Sequence, residues 1–271
     1  DSEGNWQKLM TLPKNRNNTI AATYENKRTQ LVIPNTFIFG ADIAKNQLSV
    51  IDGESGLQQQ PLTLPPIGVS NIKINTSAAV NPSGQRYYLV NSDFTTFATE
   101  NIQLLINGQT PQSVDVLQSL LQAQLGGVDV YSSQTRQLVT RIPIGNGQIP
   151  ISIALSPDGT KGMVQVFDIQ KQIDLLTNQQ AAEAELPLVL VKLNLENNTR
   201  VGEDIDYSFA LPGVGDPLQD AKNIAGLVSG SAISLSKPGV FNADGTKFYT
   251  AAFRDRNVAV IDYATSEISY I

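Results

Sequence analysis

One phrase recurs along the chain and limits what it can fold into. "AAVNPSGQRYYLV" (Ala78–Val90), "IALSPDGTKGMVQV" (Ile153–Val166) and "GVFNADGTKFYTAA" (Gly239–Ala252) share one plan. A short apolar segment meets a polar turn, and a second segment rich in aromatic or β-branched residues follows. A weaker copy, "IAATYENKRTQLVI" (Ile20–Ile33), precedes them. Asp-Gly, Ser-Gly and Asn-Lys supply the turn because the position before the second strand takes positive φ, which Gly and Asn tolerate. Taken alone, Asp158 beside a glycine looks like a ligand or a catalytic acid. Across the copies its place is held by Ser83, Asp158 and Asp244, with Asn26 in the weakest. A reacting carboxylate is not expected once per repeat or as serine, so the sequence assigns Asp158 to a hairpin turn.

Each copy is followed by a second repeated half: "NQLSVIDGESGLQQQPLTLP", "GGVDVYSSQTRQLVTRIPI", "LPLVLVKLNLENNTRVGEDI" and "RNVAVIDYATSEISYI". Leu48-Val50-Asp52, Val128-Val130, Val189-Val191 and Val258-Val260 alternate with the period of two that marks sheet. A polar turn and another strand then follow. Four strands per unit in four units is the pattern of an all-β chain, a β-propeller of four-stranded antiparallel blades A–D. The units fall at about 14–66, 76–145, 150–206 and 232–271 of one domain spanning 1–271.

"IPIGNGQIPISIALSPDGTKGMVQV" and "NADGTKFYTAAFRDRNVAVIDYATSEIS" resemble the YVTN-type, lactonase-like repeats of seven-bladed propellers. In that family a Gly-Pro phrase leads from one blade to the next, and a "vsviD" segment forms the third strand. The resemblance implies a propeller. It leaves function open among lactonases, dehydrogenase subunits and binding platforms. "WQKLMTLP" (Trp6–Pro13) echoes "QQPLTLPP" (Gln59–Pro66), which reads as the outer strand of a preceding blade. About four blades of a larger ring are therefore expected, closed by another chain or by missing sequence. The plainer alternative is an N-terminal arm on a smaller sheet assembly.

Three insertions interrupt the repeats, at 92–127, 168–185 and 207–239. The first predicts a helix capped near Thr110-Pro111, with Val114, Leu117, Leu121 and Leu125 on one face. Asp168 caps the second, over an Ile169, Ile173 and Leu176 stripe. Asp216-Pro217 opens the third, with Leu218, Ala221, Ile224 and Val228 aligned. In an up-and-down blade, B–C and D–A connections emerge at one end, and the Pro-Asp-Gly turns at the other. All three helical insertions are thus expected on one face, where long loops commonly bind or assemble something. Capping of apolar surface is the bland alternative.

Candidate binding residues follow from that geometry. Asp93 and Asp168 end their B strands at matching positions and either line a funnel or cap a turn or helix. Phe94 and Phe97 offer an exposed contact or an anchor to the core. Arg254 and Arg256 flank Asp255 in the last B–C loop, where Arg geometry suits carboxylate or phosphate; a solvated ion-pair loop is the alternative. Glu203, Asp204 and Asp206 supply hard oxygen ligands suited to Ca²⁺, although a charged rim without metal is the plainer reading.

The chain has no His and no Cys. That removes a Ser-His-Asp triad, His or Cys metal sites, thiol nucleophiles and disulfides together. With no Gly-rich phosphate loop, nucleophile elbow or haem-attachment sequence, no cofactor is expected. A net charge of −6 argues against nucleic acid, and no apolar stretch reaches membrane-spanning length. The start at Asp1, without Met, is compatible with a processed extracellular or periplasmic chain and equally with a trimmed piece. The leading expectation is a non-catalytic secreted propeller that binds a protein or polymer through its insertion-bearing face. Alternatives are a lactonase-like hydrolase acting on a sugar lactone, and a structural subunit of a larger redox or surface complex.

Overall fold

The computed structural model describes residues 18–24, 27–33, 37–42, 47–52, 56–58, 60–63, 73–93, 95, 114–177, 187–207, 238–252 and 257–271. Trp6–Pro13 and the helix expected from Asp216 lie outside them. The chain builds antiparallel sheets one after another. Sheet II contains β6 (Lys73–Val80), β7 (Arg86–Asp93), β8 (Gly126–Ser132) and β9 (Leu138–Pro143), paired in chain order. Sheet III repeats the plan with β10 (Gln148–Leu155), β11 (Lys161–Asp168), β12 (Leu188–Asn194) and β13 (Thr199–Ile205). Sheet IV does so with β14 (Val240–Phe241), β15 (Lys247–Ala252), β16 (Asn257–Asp262) and β17 (Ile268–Tyr270). First strands are neighbours, β6 beside β10 and β10 beside β14. The result is an all-β, propeller-like stack.

The amino-terminal part departs from four strands per sheet. β1 (Asn18–Tyr24) and β2 (Lys27–Ile33) pair only with each other. β4 (Gln47–Asp52) pairs with β3 (Phe37–Asp42) and with β5 (Leu62–Thr63), forming a three-stranded sheet I. "FIFGAD", absent from the repeat pattern, takes the place expected for β2. β3 and β4 are nearly adjacent in sequence, so closing that hairpin costs little loop entropy.

The core lies between sheets. On β11 and β12, Val164, Val166, Val189, Val191 and Leu193 pack toward sheet II against Tyr88, Val90, Val128, Val130 and Ile142. Their alternates Met163, Leu188 and Leu190 pack toward sheet IV with Phe248 and Ile261. Strands covered on both faces read as nearly continuous apolar runs, which is why "LPLVLVKLNL" shows little polar alternation. Each fully buried aliphatic or aromatic side chain contributes about 1.5–3 kcal/mol.

The recurring turns sit together at one end. Gly84, Gly159 and Gly245 hold φ of 68°, 74° and 67°. Each donates its N–H back to Asn81, Ser156 or Asn242. The side-chain oxygens of those three residues accept the N–H of Arg86, Lys161 and Lys247 at 2.9 Å. Asp158 Oδ1 accepts from Ser156 Oγ at 2.6 Å and from the Thr160 N–H at 3.0 Å. Asp244 accepts likewise from Thr246 Oγ1 and its N–H. Both aspartates thus build the turn itself. The third-to-fourth-strand turns dock beside them through Ser133 N–H to Gln85 O, Leu195 N–H to Thr160 O and Tyr263 N–H to Thr246 O.

This wiring gives the protein a characteristic pH profile. The Ser156 hydroxyl, then the Thr160 amide, hold the Asp158 carboxyl below its usual range. The Thr246 hydroxyl and amide do the same for Asp244, and the Thr265 and Ala264 amides for Asp262. A folded pKa below the unfolded one contributes stability above about pH 4 that is lost as pH falls through the folded value. Burial raises Tyr263 to about 12 and pushes Tyr87 and Tyr207 up as well. Their effect has the opposite sign: stability declines as pH rises past about 10, where tyrosine ionises in the unfolded chain. With no His or Cys between those limits, thermal unfolding should give a plateau from about pH 5.5 to 9, falling on both sides. A drop centred near pH 6.5 would contradict this assignment.

Candidate functional site

The end opposite the turns is built differently. The links between second and third strands expand into α1 (Val114–Leu120) in sheet II and α2 (Ile169–Thr177) in sheet III. The two helices pack on each other. Leu120, Leu125, Ile169 and Ile173 form their buried seam, with Leu117, Leu121, Ala123, Ile149 and Phe167 against it. The link from sheet II to sheet III joins them there. Gly147 N–H donates to Ala123 O, and Gly147 O accepts from the Ile169 N–H, both at 2.9 Å. Second-to-third and fourth-to-first connections therefore share one end, for the junction that the described residues cover.

α1 ends earlier than its apolar stripe suggested. Leu121 and Ala123 donate to Gln118 O and Leu120 O, tightening the last turn. Leu125 then lies beyond the helix, and the unforeseen Leu120 is fully buried. The stop follows from position: Asp93 N–H bonds Leu125 O at 2.9 Å, so the strand pairing of sheet II has already begun. The matching bond in sheet III runs from Asp168 N–H to Pro187 O. Asp93 and Asp168 are thus structural counterparts.

Their side chains enter separate clusters. Asp168 Oδ1 accepts the Lys171 N–H at 2.9 Å, capping α2 as its place in the sequence suggested. Its other oxygen accepts from Gln148 Nε2 at 3.0 Å, and the same amide donates to Asp204 Oδ2 at 2.5 Å. Arg200 closes the network, donating to Asp204 Oδ1, Gln148 Oε1 and the Ile144 carbonyl. Gly145 permits this approach, since a Cβ there would lie 2.4 Å from Gln148 Oε1. Lys171 Nζ pairs with Asp206 at 2.6 Å. The acidic run 203–206, read as separate from Asp168, is tied to it through Gln148. Among the described residues no three acidic groups gather as a metal site. Asp204 and Asp206 serve cationic partners, and Glu203 is exposed.

The second cluster lies on the face of sheet II that looks away from sheet III. Asp93 pairs with Lys73 at 3.4 Å and accepts the Thr95 N–H. Burial pushes its carboxyl up, but the Thr95 hydrogen bonds and Lys73 outweigh it and hold the carboxyl low. Asp129, almost fully buried, receives a two-pronged Arg141 at 2.5 and 2.9 Å. Nearby Asn91 donates to Asn75, both buried, leaving Asn75 Nδ2 and Asn91 Oδ1 without a partner. At the matching positions sheet III carries Pro150, Val166 and Val191, so sheet II has exchanged an apolar facing for a polar one.

Gln148, Arg200, Asn75, Asn91 and the Asp129–Arg141 pair were not singled out in the sequence. One signal was present: Asp129 sits out of phase in "GGVDVYS", between valines that face sheet III. Phe94, Phe97, Arg254, Asp255 and Arg256 lie outside the described residues. Chemically, the described carboxylates here, apart from Glu203, are engaged by cations, amides or backbone N–H groups, an arrangement that stiffens the end of the stack.

No helix among the described residues is long and apolar enough to cross a membrane. No family model matches the chain, and no curated protein matches it. Among solved structures it is similar to Kuenenia stuttgartiensis hydrazine synthase, with a TM-score of 0.44 and 14% identity over 87% of this chain and 46% of that one. It is also similar to dihydro-heme d1 dehydrogenase NirN in complex with DHE, with a TM-score of 0.43 and 12% identity over 88% and 35%. The chain spans less than half the length of either, and neither similarity carries a conclusion about its chemistry.

Proposed function

We propose that this chain is a propeller module of the YVTN-type, lactonase-like kind, part of a larger ring, that binds a protein or polymer partner through its helix-bearing end. In this reading it performs no chemistry of its own and works outside the cell or in the periplasm. One observation carries it: α1 and α2 converge, pack together and are stitched through Gly147 at one end, while the other end, among the described residues, holds tight turns. Outward from the apolar seam, exposed Gln118, Gln122, Gln170, Asp174 and Thr177 offer amide, carboxylate and hydroxyl groups suited to hydrogen-bonded recognition.

A photoreactive residue at Gln118 or Gln170 should form adducts with the partner in material from the protein's source. The same probe at Asp158 or Asp244, at the turn end, should form none. Adducts of equal yield from both ends would sink the assignment of the binding face. Sugar-lactone hydrolysis that disappears in Arg254→Ala would sink the non-catalytic part.

A further inference from the structure

The junctions between sheets differ in chemistry. Sheets II and III meet through one buried apolar cluster, and III and IV through another. The other face of sheet II, on the side where β3 of sheet I lies against β6, is divided. Near the turns it carries Tyr87, Leu89 and Tyr131, buried together. Toward the helix-bearing end it carries Asn75, Asn91 and Asp129, each at most 3% exposed, with the Lys73–Asp93 pair at the rim.

This polar half is poorly matched to a dry contact. Asn91 Nδ2 reaches Asn75 Oδ1 only at 3.5 Å, and Asn75 Nδ2 and Asn91 Oδ1 have no hydrogen-bond partner. A buried donor or acceptor without a partner loses its hydration and gains nothing in return. Asp129 is withdrawn from water as well, so its pairing with Arg141 offsets a desolvation cost that the matching Val191 of sheet III never meets. The contact is narrower too. β10 lies close against β6, β7 and β8, whereas β6 lies close, among the described strands of sheet I, to β3 alone. The turn end is where the junction is held, since Arg136 Nη1 donates to Gln60 O at 3.1 Å.

We infer that sheet I is a hinged cover on sheet II, pivoting at the turn end and parting at the helix-bearing end. Parting returns the Asn75 and Asn91 amides to water. It uncovers a polar strip that runs to Asp93, whose N–H meets Leu125 O where the chain returns from α1. The inference stands without the proposed partner and adds a moving part to that end of the stack.

The chain has no cysteine, so Leu89→Cys places a single thiol on this face. Val164→Cys places one at the matching position of sheet III, beneath sheet II. Both side chains are fully buried. Below the denaturant range that unfolds the chain, the Leu89→Cys thiol should react with a disulfide reagent about tenfold faster than the Val164→Cys thiol. Adding Asn75→Leu and Asn91→Leu keeps the shape of the amides without their polar atoms, and should slow the Leu89→Cys reaction about tenfold. Equal rates for the two thiols would mean that sheet I parts only when the whole stack unfolds, and would overturn the inference. An unchanged rate in the leucine double variant overturns it as well. A faster rate does so by assigning the amides a bound group that holds the junction shut. If a cysteine variant fails to fold, hydroxyl-radical oxidation of the unaltered chain makes the same comparison. Leu89 should then be modified faster than Val164 after correction for intrinsic reactivity, and equal protection overturns the inference.

Discussion

Phe248→Ala is expected to cost about 3–5 kcal/mol, the range for truncating a fully buried aromatic ring, and to loosen sheet IV from sheet III before the rest of the stack unfolds. The ring is fully buried and shares one apolar cluster with Met163, Leu188, Leu190, Ile205 and Tyr207 of sheet III and its margin. It also stands edge-on to Phe241 at 5.1 Å. Gly239 lies against the ring, where an added Cβ would come 2.7 Å from Phe248 Cζ, and it has no side chain to move into the space. Hydrogen exchange read by mass spectrometry checks the locality of the effect. Peptides covering β15 and β16 should lose protection first, while β7 and β8, sealed in the II–III core, keep theirs. Uniform loss across sheets II to IV would show that the stack unfolds as one unit, and a cost below about 1 kcal/mol would mean the site repacks.

The second large effect is expected where the first insertion rejoins the sheet. Gly126 has φ of 145°, and a Cβ built there would sit 2.3 Å from Asn91 O and 2.8 Å from Pro150 Cδ. Gly126→Ala therefore meets two penalties. The conformation alone costs about 1–3 kcal/mol for a residue with a side chain. The methyl group must also push β7 away from β8, or Pro150 of sheet III away from sheet II. Gly56→Ala separates the two terms, since Gly56 has φ of 66° and nothing within 4 Å of the added carbon. It should cost only about 1–2 kcal/mol, the conformational cost of a side chain at left-handed φ. Chemical denaturation of both variants reads the difference, and equal losses would mean the II–III junction yields freely.

The parts legible in the sequence share one property, which is that neighbours along the chain decide them. The turns repeat because a residue with a short polar side chain accepts its own backbone a few positions on, and glycine supplies positive φ: Asn81 with Gly84, Ser156 with Gly159, Asn242 with Gly245. Asp168 as the cap of α2 is the same kind of local hydrogen bond. β3 escaped notice because "FIFGAD" lies outside the repeat and only its pairing with β4 reveals its place.

The candidate site was less legible, and the reason is distance along the chain. Gln148 joins Asp168 to Asp204, and Arg200 reaches back to Ile144, through bonds that no local pattern encodes. Asp93 and Asp168 matched in sequence and match in backbone wiring, yet their side chains diverge because Lys73 stands beside one and Gln148 beside the other.

By itself the sequence determined the repeating turns, the antiparallel strands they join, and the exclusion of imidazole and thiol chemistry. These depend on residue type and short-range backbone geometry. Tertiary structure alone decided which face of each strand meets which neighbour, since strands such as β11 and β12 are apolar on both sides and periodicity assigns no direction. It also decided that the helices pair at one end. Such contacts form between surfaces far apart in sequence, and burial rather than local propensity selects them.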